Sequence, residues 1–244
     1  MNATSDLVDV LAIGAHPDDI ELGCGGTVAK LIASGRRVAF LHLTRGERGT
    51  RGTNAERIAE AERSAAVLGA VAVEFLDCGD GSFRAGEAEE DALIAVLRRR
   101  RPELVFAPSP GDRHPDHGRA QRLVEAACFY AGLRRRGSGE PHRPGALFSF
   151  MQHDPFEARF IVDVTAHWPV KLRALAEYHS QLHQPGQDRA EPATKIASPE
   201  FVQAIEGRAR HFGLLIGAEF AEPFWSRQPV AVNDPWNLLP GGLR

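Results

Sequence analysis

The chain has 244 residues and carries 29 lysines and arginines against 32 aspartates and glutamates, a formal net charge of −3 at pH 7. This length predicts a single α/β domain with one sizeable core, and the charge argues against nucleic acid or an anionic membrane as a partner. Three widely spaced cysteines, no visible export signal and no apolar run of membrane-spanning length predict a soluble cytoplasmic protein with reduced thiols.

Apolar, β-rich runs alternate with helical periodicity in the first half of the chain. Strands are predicted at 8–15, 38–44, 71–77 and 103–109, and helices at about 20–34, 54–68, around 93–97, and 118–135. Gly35 and Gly69 are predicted to end the first two helices, and Asn54 to cap the second. The alternation predicts a Rossmann-like, mostly parallel sheet with helices on both faces, and functional residues at the carboxyl ends of its strands.

The second half of the chain has a less regular pattern. Strands are predicted at 147–151 and 159–165, and Pro169 and Pro199 occupy expected first helical positions, the second with Ser198 as its cap. Arginine runs at 97–102 and 133–137 each end a helical pattern, which indicates helix-end charge rather than a nucleic-acid surface. No repeat or domain boundary is visible, so residues 1–244 are predicted to form one domain with an irregular tail from about 223.

Two clusters of histidine and aspartate follow predicted strands, AHPDDIELGCGG at 15–26 and GDRHPDHG at 111–118. Each alone is typical of a turn or a helix cap. Because the strands of a parallel sheet end at the same edge, the two clusters are expected to meet. Two histidines and a carboxylate are the ligands of a catalytic zinc site with a position open for water. Metal-bound water is a nucleophile near neutral pH, and a second carboxylate can take its proton.

The glycine cluster GCGGT at 23–27 raises the alternative of a dinucleotide site. That site needs glycines in the first turn and an acidic residue at the end of the second strand. Here the first turn holds histidine, proline and two aspartates, whose charge would repel a pyrophosphate, and the second strand ends in Thr44 and Arg45. The sequence therefore favours a metal site over a nucleotide site.

The segments AHPDDIELGCGGT and DRHPDHG resemble the PIG-L/LmbE-like superfamily of zinc-dependent N-deacetylases, which act on N-acetylglucosamine derivatives. The resemblance runs from about Asp9 to Pro223 and includes the LTRGE loop, HRPG and HFGLLIGAEFAEPF. Within the superfamily the chain is most similar to the bacillithiol-pathway deacetylases, which remove acetyl from N-acetylglucosaminyl-malate. This implies an LmbE-like fold and a hydrolase that cleaves a linear amide bond.

The resemblance also implies the metal and its ligands. It places one Zn²⁺ per chain, or another divalent transition metal, on His16, Asp19 and His117. It makes Asp18 the general base for the metal-bound water.

Further roles follow from the same resemblance. His114 would stabilise the oxyanion or protonate the leaving amine, oriented by Asp116, and Arg57 would contact the substrate. One departure is that related enzymes carry a tyrosine near the active-site rim where this chain has Phe201.

The remaining histidines are given no metal role. His42 is predicted to be a satisfied interior histidine, and Cys24 to fill a helix-packing position. The others lack carboxylates at ligand spacing; they are His142, His153, His167, His179, His183 and His211.

The prediction is thus a zinc-dependent N-deacetylase for a small amino-sugar substrate, with N-acetylglucosaminyl-L-malate as the expected substrate. The alternatives are an inositol conjugate or a chitooligosaccharide as substrate, or, from a different class, a non-catalytic metal- or nucleotide-binding module. Loop arginines such as Arg45, Arg48 and Arg51 are compatible with an anionic aglycone. A homo-oligomer is also expected, because the family commonly forms hexamers and the apolar tail at 230–240 offers a contact.

Overall fold

The structure, a computed structural model, describes residues 6–183, 192, 194–232, 234 and 235. The strands are β1 Val10–Gly14, β2 Val38–His42, β3 Ala72–Phe75, β4 Leu104–Pro108, β5 Ala146–Phe150, β6 Phe160–Asp163 and β7 Ala221–Trp225. The helices are α1 Asp19–Ala33, α2 Asn54–Leu68, α3 Glu87–Arg100, α4 Pro115–Ala131, α5 Trp168–Ala176 and α6 Pro199–Ile216.

The strands form one seven-stranded sheet in the order β3-β2-β1-β4-β5-β7-β6. β1 to β5 pair in parallel, while β7 runs antiparallel to both β5 and β6. After β1 the chain crosses toward β2, whereas after β4 it crosses toward β5 on the opposite side. A crevice therefore opens between the carboxyl ends of β1 and β4, where open α/β sheets bind their ligands.

Both faces of the sheet are covered, as predicted. Leu11 and Ile13 of β1 pack on one face with residues of α3 and α4. Val10 and Ala12 pack on the other face with α1, α2 and α5. Because successive side chains of a strand point to opposite faces, this fully buried strand reads as a continuous apolar run.

Helix caps explain why two observed helix starts differ from the predicted ones. The second helix is capped by Thr53, in a capping box with Glu56, rather than by the predicted Asn54, which is the first helical residue. The fourth helix begins at Pro115 rather than at 118, because the His114 ring accepts the Asp116 N–H and proline suits the first helical position. Ser198 caps α6 as predicted, through a hydrogen bond from the Phe201 N–H.

Two predictions about the ends of elements are corrected. The fourth helix ends at Ala131, so the arginine run at 133–137 lies beyond it; Arg98, from the other run, instead donates to the carbonyls of Ala131 and Leu133. Residues 221–225 form β7, where an irregular tail from about 223 was expected. This strand is short and contains Pro223, so its sequence does not predict a strand.

None of the helices in the described part of the chain is long and apolar enough to cross a membrane. Most of the segment 230–240 that was predicted to supply an oligomer contact lies outside the described residues.

Candidate active site

The histidine–aspartate segments meet at the crevice between β1 and β4. The turn from β1 into α1 carries the first segment, and the turn from β4 into α4 carries the second. The rings of His16 and His114 lie 4.7 Å apart between centroids, and those of His16 and His117 lie 5.6 Å apart. The predicted convergence of residues about one hundred positions apart is what the structure shows.

The two neighbouring aspartates point in different directions because of the backbone between them. Asp18 has φ 100° and ψ −25°, a left-handed conformation that residues other than glycine rarely adopt. Asp19 turns back, and its Oδ2 accepts the His16 N–H at 2.9 Å. The carboxylate of Asp18 instead lies 3.5 Å from the Arg57 guanidinium. Backbone strain of this kind concentrates at functional sites.

Asp19 lies between the two histidines that were predicted to bind metal with it. Its Oδ2 is 3.6 Å from Nδ1 of His16, and its Oδ1 is 3.3 Å from Nε2 of His117. The side chains of Asp19 and His117 are each 2% exposed. Gln152, at the end of β5, donates its Nε2 to Oδ1 of Asp19 at 2.5 Å.

Further carboxylates lie against the outer nitrogens of both imidazoles. Nε2 of His16 is 3.2 Å from Oδ1 of Asp80 and 3.5 Å from Oδ2 of Asp116. Nδ1 of His117 is 3.2 Å from Oδ1 of Asp112. Metal-bound histidines commonly donate their second nitrogen to a carboxylate, which fixes the ring and its tautomer.

The charge balance of the cluster shows that it fits a cation. Burial alone would lower the pKa of His16, but the carboxylates of Asp116, Asp19 and Asp80 raise it well above its ordinary value. Burial likewise opposes a rise at His117, yet Asp19 and Asp112 raise its pKa to about 9. The neighbouring carboxylates therefore favour the positively charged form of both imidazole rings. A divalent metal would supply that charge. Three sets of side chains in the described residues bring their ligand atoms close enough to share one ion, namely His16, His114 and His117; His16, Asp80 and Asp116; and Asp112, His117 and His153. The set of His16, Asp19 and His117 stays a prediction.

Asp116 does not orient His114 in the predicted way. Its backbone N–H, rather than its carboxylate, lies 3.3 Å from Nδ1 of His114. The carboxylate is engaged elsewhere, with the Gly81 N–H at 2.8 Å, with His16, and with Arg119 at 3.2 Å. The reason is that His114 caps α4, so its ring accepts the backbone N–H of Asp116 and not a contact from the carboxylate.

Asp18 and Arg57 form a buried pair at the side of the cluster. Burial raises the pKa of Asp18 to about 7, with Arg57 opposing the rise. Arg57 is 4% exposed and donates to the Pro17 carbonyl at 2.7 Å, so it also holds the turn that carries Asp18. Its other nitrogen packs against Gly46, where a Cβ would lie only 2.2 Å from it. The glycine-rich loop is therefore shaped to admit this guanidinium.

Several residues of the cluster were missed by sequence reasoning. Asp112 lies inside the second motif and gave a usable signal, whereas Asp80 follows β3 in an unremarked CGDG turn. His153, which was given no metal role, has its ring 5.7 Å from that of His117 and could share an ion with Asp112 and His117. No motif marks it in the sequence, and it reaches the site because it follows the end of β5.

Three further predictions can be compared with the structure. His42 is fully buried; its Nδ1 lies 3.2 Å from the His16 carbonyl, while its Nε2 has no hydrogen-bond partner among the described residues, so it is only half satisfied. Cys24 is buried in the apolar cluster beneath α1, as predicted. The ring of Phe201 lies 6.0 Å from that of His153, and Phe201 packs, partly buried, against the apolar cluster that contains Trp168 and Tyr178.

The cluster opens into a pocket of about 260 Å³, near the lower end of the roughly 300–1,000 Å³ that small-molecule sites occupy. His16, Asp18, Asp19 and His117 are buried parts of its lining, and His114 is half-buried. Exposed or half-buried cationic side chains also line it and form its cationic rim, namely Arg48, Arg51, Arg113 and Lys195. Buried carboxylates beside more exposed cations suit a cation deep in the pocket and an anionic group nearer to solvent.

Comparison with known proteins places this site in a family. The family model PIG-L, described as GlcNAc-PI de-N-acetylase, matches residues 11–128, which include both histidine motifs. The chain is 32% identical over 236 residues to the diacetylchitobiose deacetylase of Thermococcus kodakarensis, and the match covers 89% of this chain and 82% of that protein. The chain belongs to the PIG-L family. It is accordingly a hydrolase of the amide-cleaving, de-N-acetylase class.

Other PIG-L relatives extend the comparison over most of the chain. The 1D-myo-inositol 2-acetamido-2-deoxy-alpha-D-glucopyranoside deacetylase of Actinosynnema mirum is 29% identical, with 87% of this chain and 94% of that protein covered. Among solved structures, the conserved protein TT1542 from Thermus thermophilus has a TM-score of 0.85 and 38% identity, covering 94% of this chain and 99% of its own. The predicted α/β fold and the predicted superfamily are therefore confirmed.

Proposed function

We propose that the protein is a metal-dependent hydrolase that removes the N-acetyl group from an N-acetylglucosamine conjugate. The observation that carries this proposal is the cluster of His16, Asp19 and His117 with Asp18 beside it in the lining of one pocket. When bound there, a divalent ion, which we take to be one Zn²⁺ per chain, supplies Lewis-acid activation of water and of the acetyl carbonyl.

Asp18 is assigned the role of general base. Its carboxylate lines the pocket together with the clustered histidines, where a general base must lie to reach the attacking water. It takes one proton from the attacking water as the new carbon–oxygen bond forms. It then returns that proton to the amide nitrogen as the carbon–nitrogen bond breaks, which releases acetate and a free amine.

His114 is assigned to the oxyanion rather than to the leaving amine. Its Nδ1 accepts the Asp116 N–H, so a neutral ring carries its hydrogen on Nε2. Burial and the nearby His16 and His117 lower the pKa of His114, which favours this neutral ring. A neutral imidazole donates a hydrogen bond well but gives up its only hydrogen poorly, so stabilising the tetrahedral oxyanion is the better role.

The substrate's second half is the finer part of the proposal. The cationic rim of Arg48, Arg51, Arg113 and Lys195 supports an anionic aglycone, and N-acetylglucosaminyl-L-malate in bacillithiol biosynthesis is the substrate we propose. The predicted substrate contact of Arg57 belongs here too, although its guanidinium is shared with Pro17 and Asp18. The homo-oligomer, the single-domain organisation and the cytoplasmic location remain predictions from the sequence.

Turnover of a substrate panel tests this proposal. The panel contains the malate conjugate, the inositol conjugate, diacetylchitobiose and free N-acetylglucosamine, with acetate measured as the common product. We expect the highest kcat/KM with the malate conjugate and a fall in that preference as salt screens the cationic rim. A clear preference for the inositol conjugate or chitobiose would refute the malate assignment but leave the deacetylase intact. No acetate from any member would refute the function itself.

A further inference from the structure

Asp80 makes three contacts that join separate parts of the site. Its Oδ1 lies 3.2 Å from Nε2 of His16, and its Oδ2 accepts the Arg48 N–H at 2.7 Å. Its own N–H donates to Oε1 of Glu47 at 2.8 Å. The Asp80 side chain is 8% exposed, so these contacts are shielded from competing water.

The loop that Asp80 holds forms part of the pocket rim. Residues 48–51, which lie between β2 and α2, line the same pocket as His16, Asp19 and His117. Two of the contacts, those of Arg48 and Glu47, are made by this loop. One carboxylate therefore has one oxygen on a candidate metal ligand and the other on the backbone of the substrate-facing loop.

We propose that Asp80 is a positioning residue that couples metal binding at His16 to the order of the loop 46–52. This rests on the metal site of the proposed function. His16 turns its Nδ1 toward Asp19 and its Nε2 toward Asp80. A metal held on the Asp19 side would require the neutral ring to carry its hydrogen on Nε2, the nitrogen that lies 3.2 Å from Oδ1 of Asp80. Fixing that oxygen also fixes the one that accepts the Arg48 N–H.

The coupling works in both directions. Any ligand that orders the loop also holds Asp80 in place and so strengthens metal binding, because coupling free energies are reciprocal. Asp112 offers a matched comparison, since it holds Nδ1 of His117 at 3.2 Å in the same way. Its other contacts are the N–H groups of His114 and His153, at 3.0 Å each, and not the loop 46–52.

Hydrogen–deuterium exchange of the peptide covering 46–52 tests the coupling, with and without zinc, in the full chain. We expect zinc to slow exchange of this loop in the wild type by roughly 5-fold or more, the lower end of ordinary coupling. Competition with a chromophoric chelator gives zinc affinity alongside. Asp80→Asn and Asp112→Asn should each weaken zinc binding by roughly 10–100-fold. At saturating zinc, only Asp80→Asn should lose the response of the loop.

The outcomes separate this proposal from the proposed function. Failure of the wild type to bind zinc would refute the metal site and the coupling together. Zinc binding without any loop response in the wild type would refute the coupling alone, and this comparison needs no variant. A loop response retained in Asp80→Asn would also refute it. Complete loss of zinc binding in Asp80→Asn, with binding retained in Asp112→Asn, would make Asp80 a ligand and overturn the positioning role.

Discussion

The roles of the two adjacent aspartates should separate when each is changed to its near-isosteric amide. Asp18→Asn removes the proposed base but leaves His16, Asp19 and His117 in place, so bound zinc should remain near one per chain. The chemical step should then slow by about 10²–10⁴, equivalent to roughly 3–5 kcal/mol. Asp19→Asn instead removes the carboxylate that lies within 3.6 Å of both histidines. Zinc affinity should fall by more than the roughly 10–100-fold typical of outer-sphere partners.

Bound metal and single-turnover rates, measured on both variants, decide between these roles. Excess zinc should partly restore Asp19→Asn, because its defect is occupancy, and should leave Asp18→Asn unchanged. The left-handed backbone at Asp18 (φ 100°) tolerates asparagine, so neither variant needs to refold the turn. Zinc lost from Asp18→Asn but retained in Asp19→Asn would show that the two carboxylates have been assigned in reverse.

Three further predictions concern stability, thiols and pH. Glu222→Gln should lower the free energy of unfolding in urea by about 3–5 kcal/mol, because Lys171, 2.6 Å away, would be left as an unpaired buried charge. The control is Glu206→Gln, at an exposed ion pair, which should cost at most about 1 kcal/mol. Equal effects of the two substitutions would contradict the reasoning. Burial raises the pKa of Cys78 to about 12, so Ellman's reagent should fail to react with it at pH 8 until urea is added; fast labelling of the native protein would contradict this. The carboxylates of Asp19 and Asp112 outweigh burial and raise the pKa of His117 to about 9, so this ring must lose a proton when zinc binds. Apparent zinc affinity should therefore increase between pH 6 and 8. A zinc affinity that does not change with pH would contradict this prediction.

The sheet and its site could be predicted because their signals are local in the sequence. Buried parallel strands appear as apolar runs, and their carboxyl ends share one edge, so two short motifs sufficed to bring His16 near His117. Those motifs also lie within the part of the chain that matches the family. The position of Asp19 between the histidines, by contrast, depends on the left-handed conformation of Asp18, for which the sequence shows no glycine signal.

The parts that could not be predicted depend on contacts between distant segments. Asp80 reaches His16 only because β3 and β1 lie on either side of β2 in the same sheet. Gln152 and His153 reach the site at the end of β5, with no motif around them. Strand β7 pairs antiparallel with β5 and β6. Its sequence is a short run that contains a proline, so the strand could not be predicted from the local pattern.

Acetate release titrated with zinc tests the central claim most directly. Protein stripped of metal with a chelator should release no acetate from the malate conjugate of N-acetylglucosamine. Adding zinc should restore the rate linearly until one equivalent per chain is bound, with acetate and free amine formed in equal amounts. Acetate release that is indifferent to the chelator, or a fully zinc-loaded protein that releases none from any N-acetylglucosamine conjugate, would contradict the account.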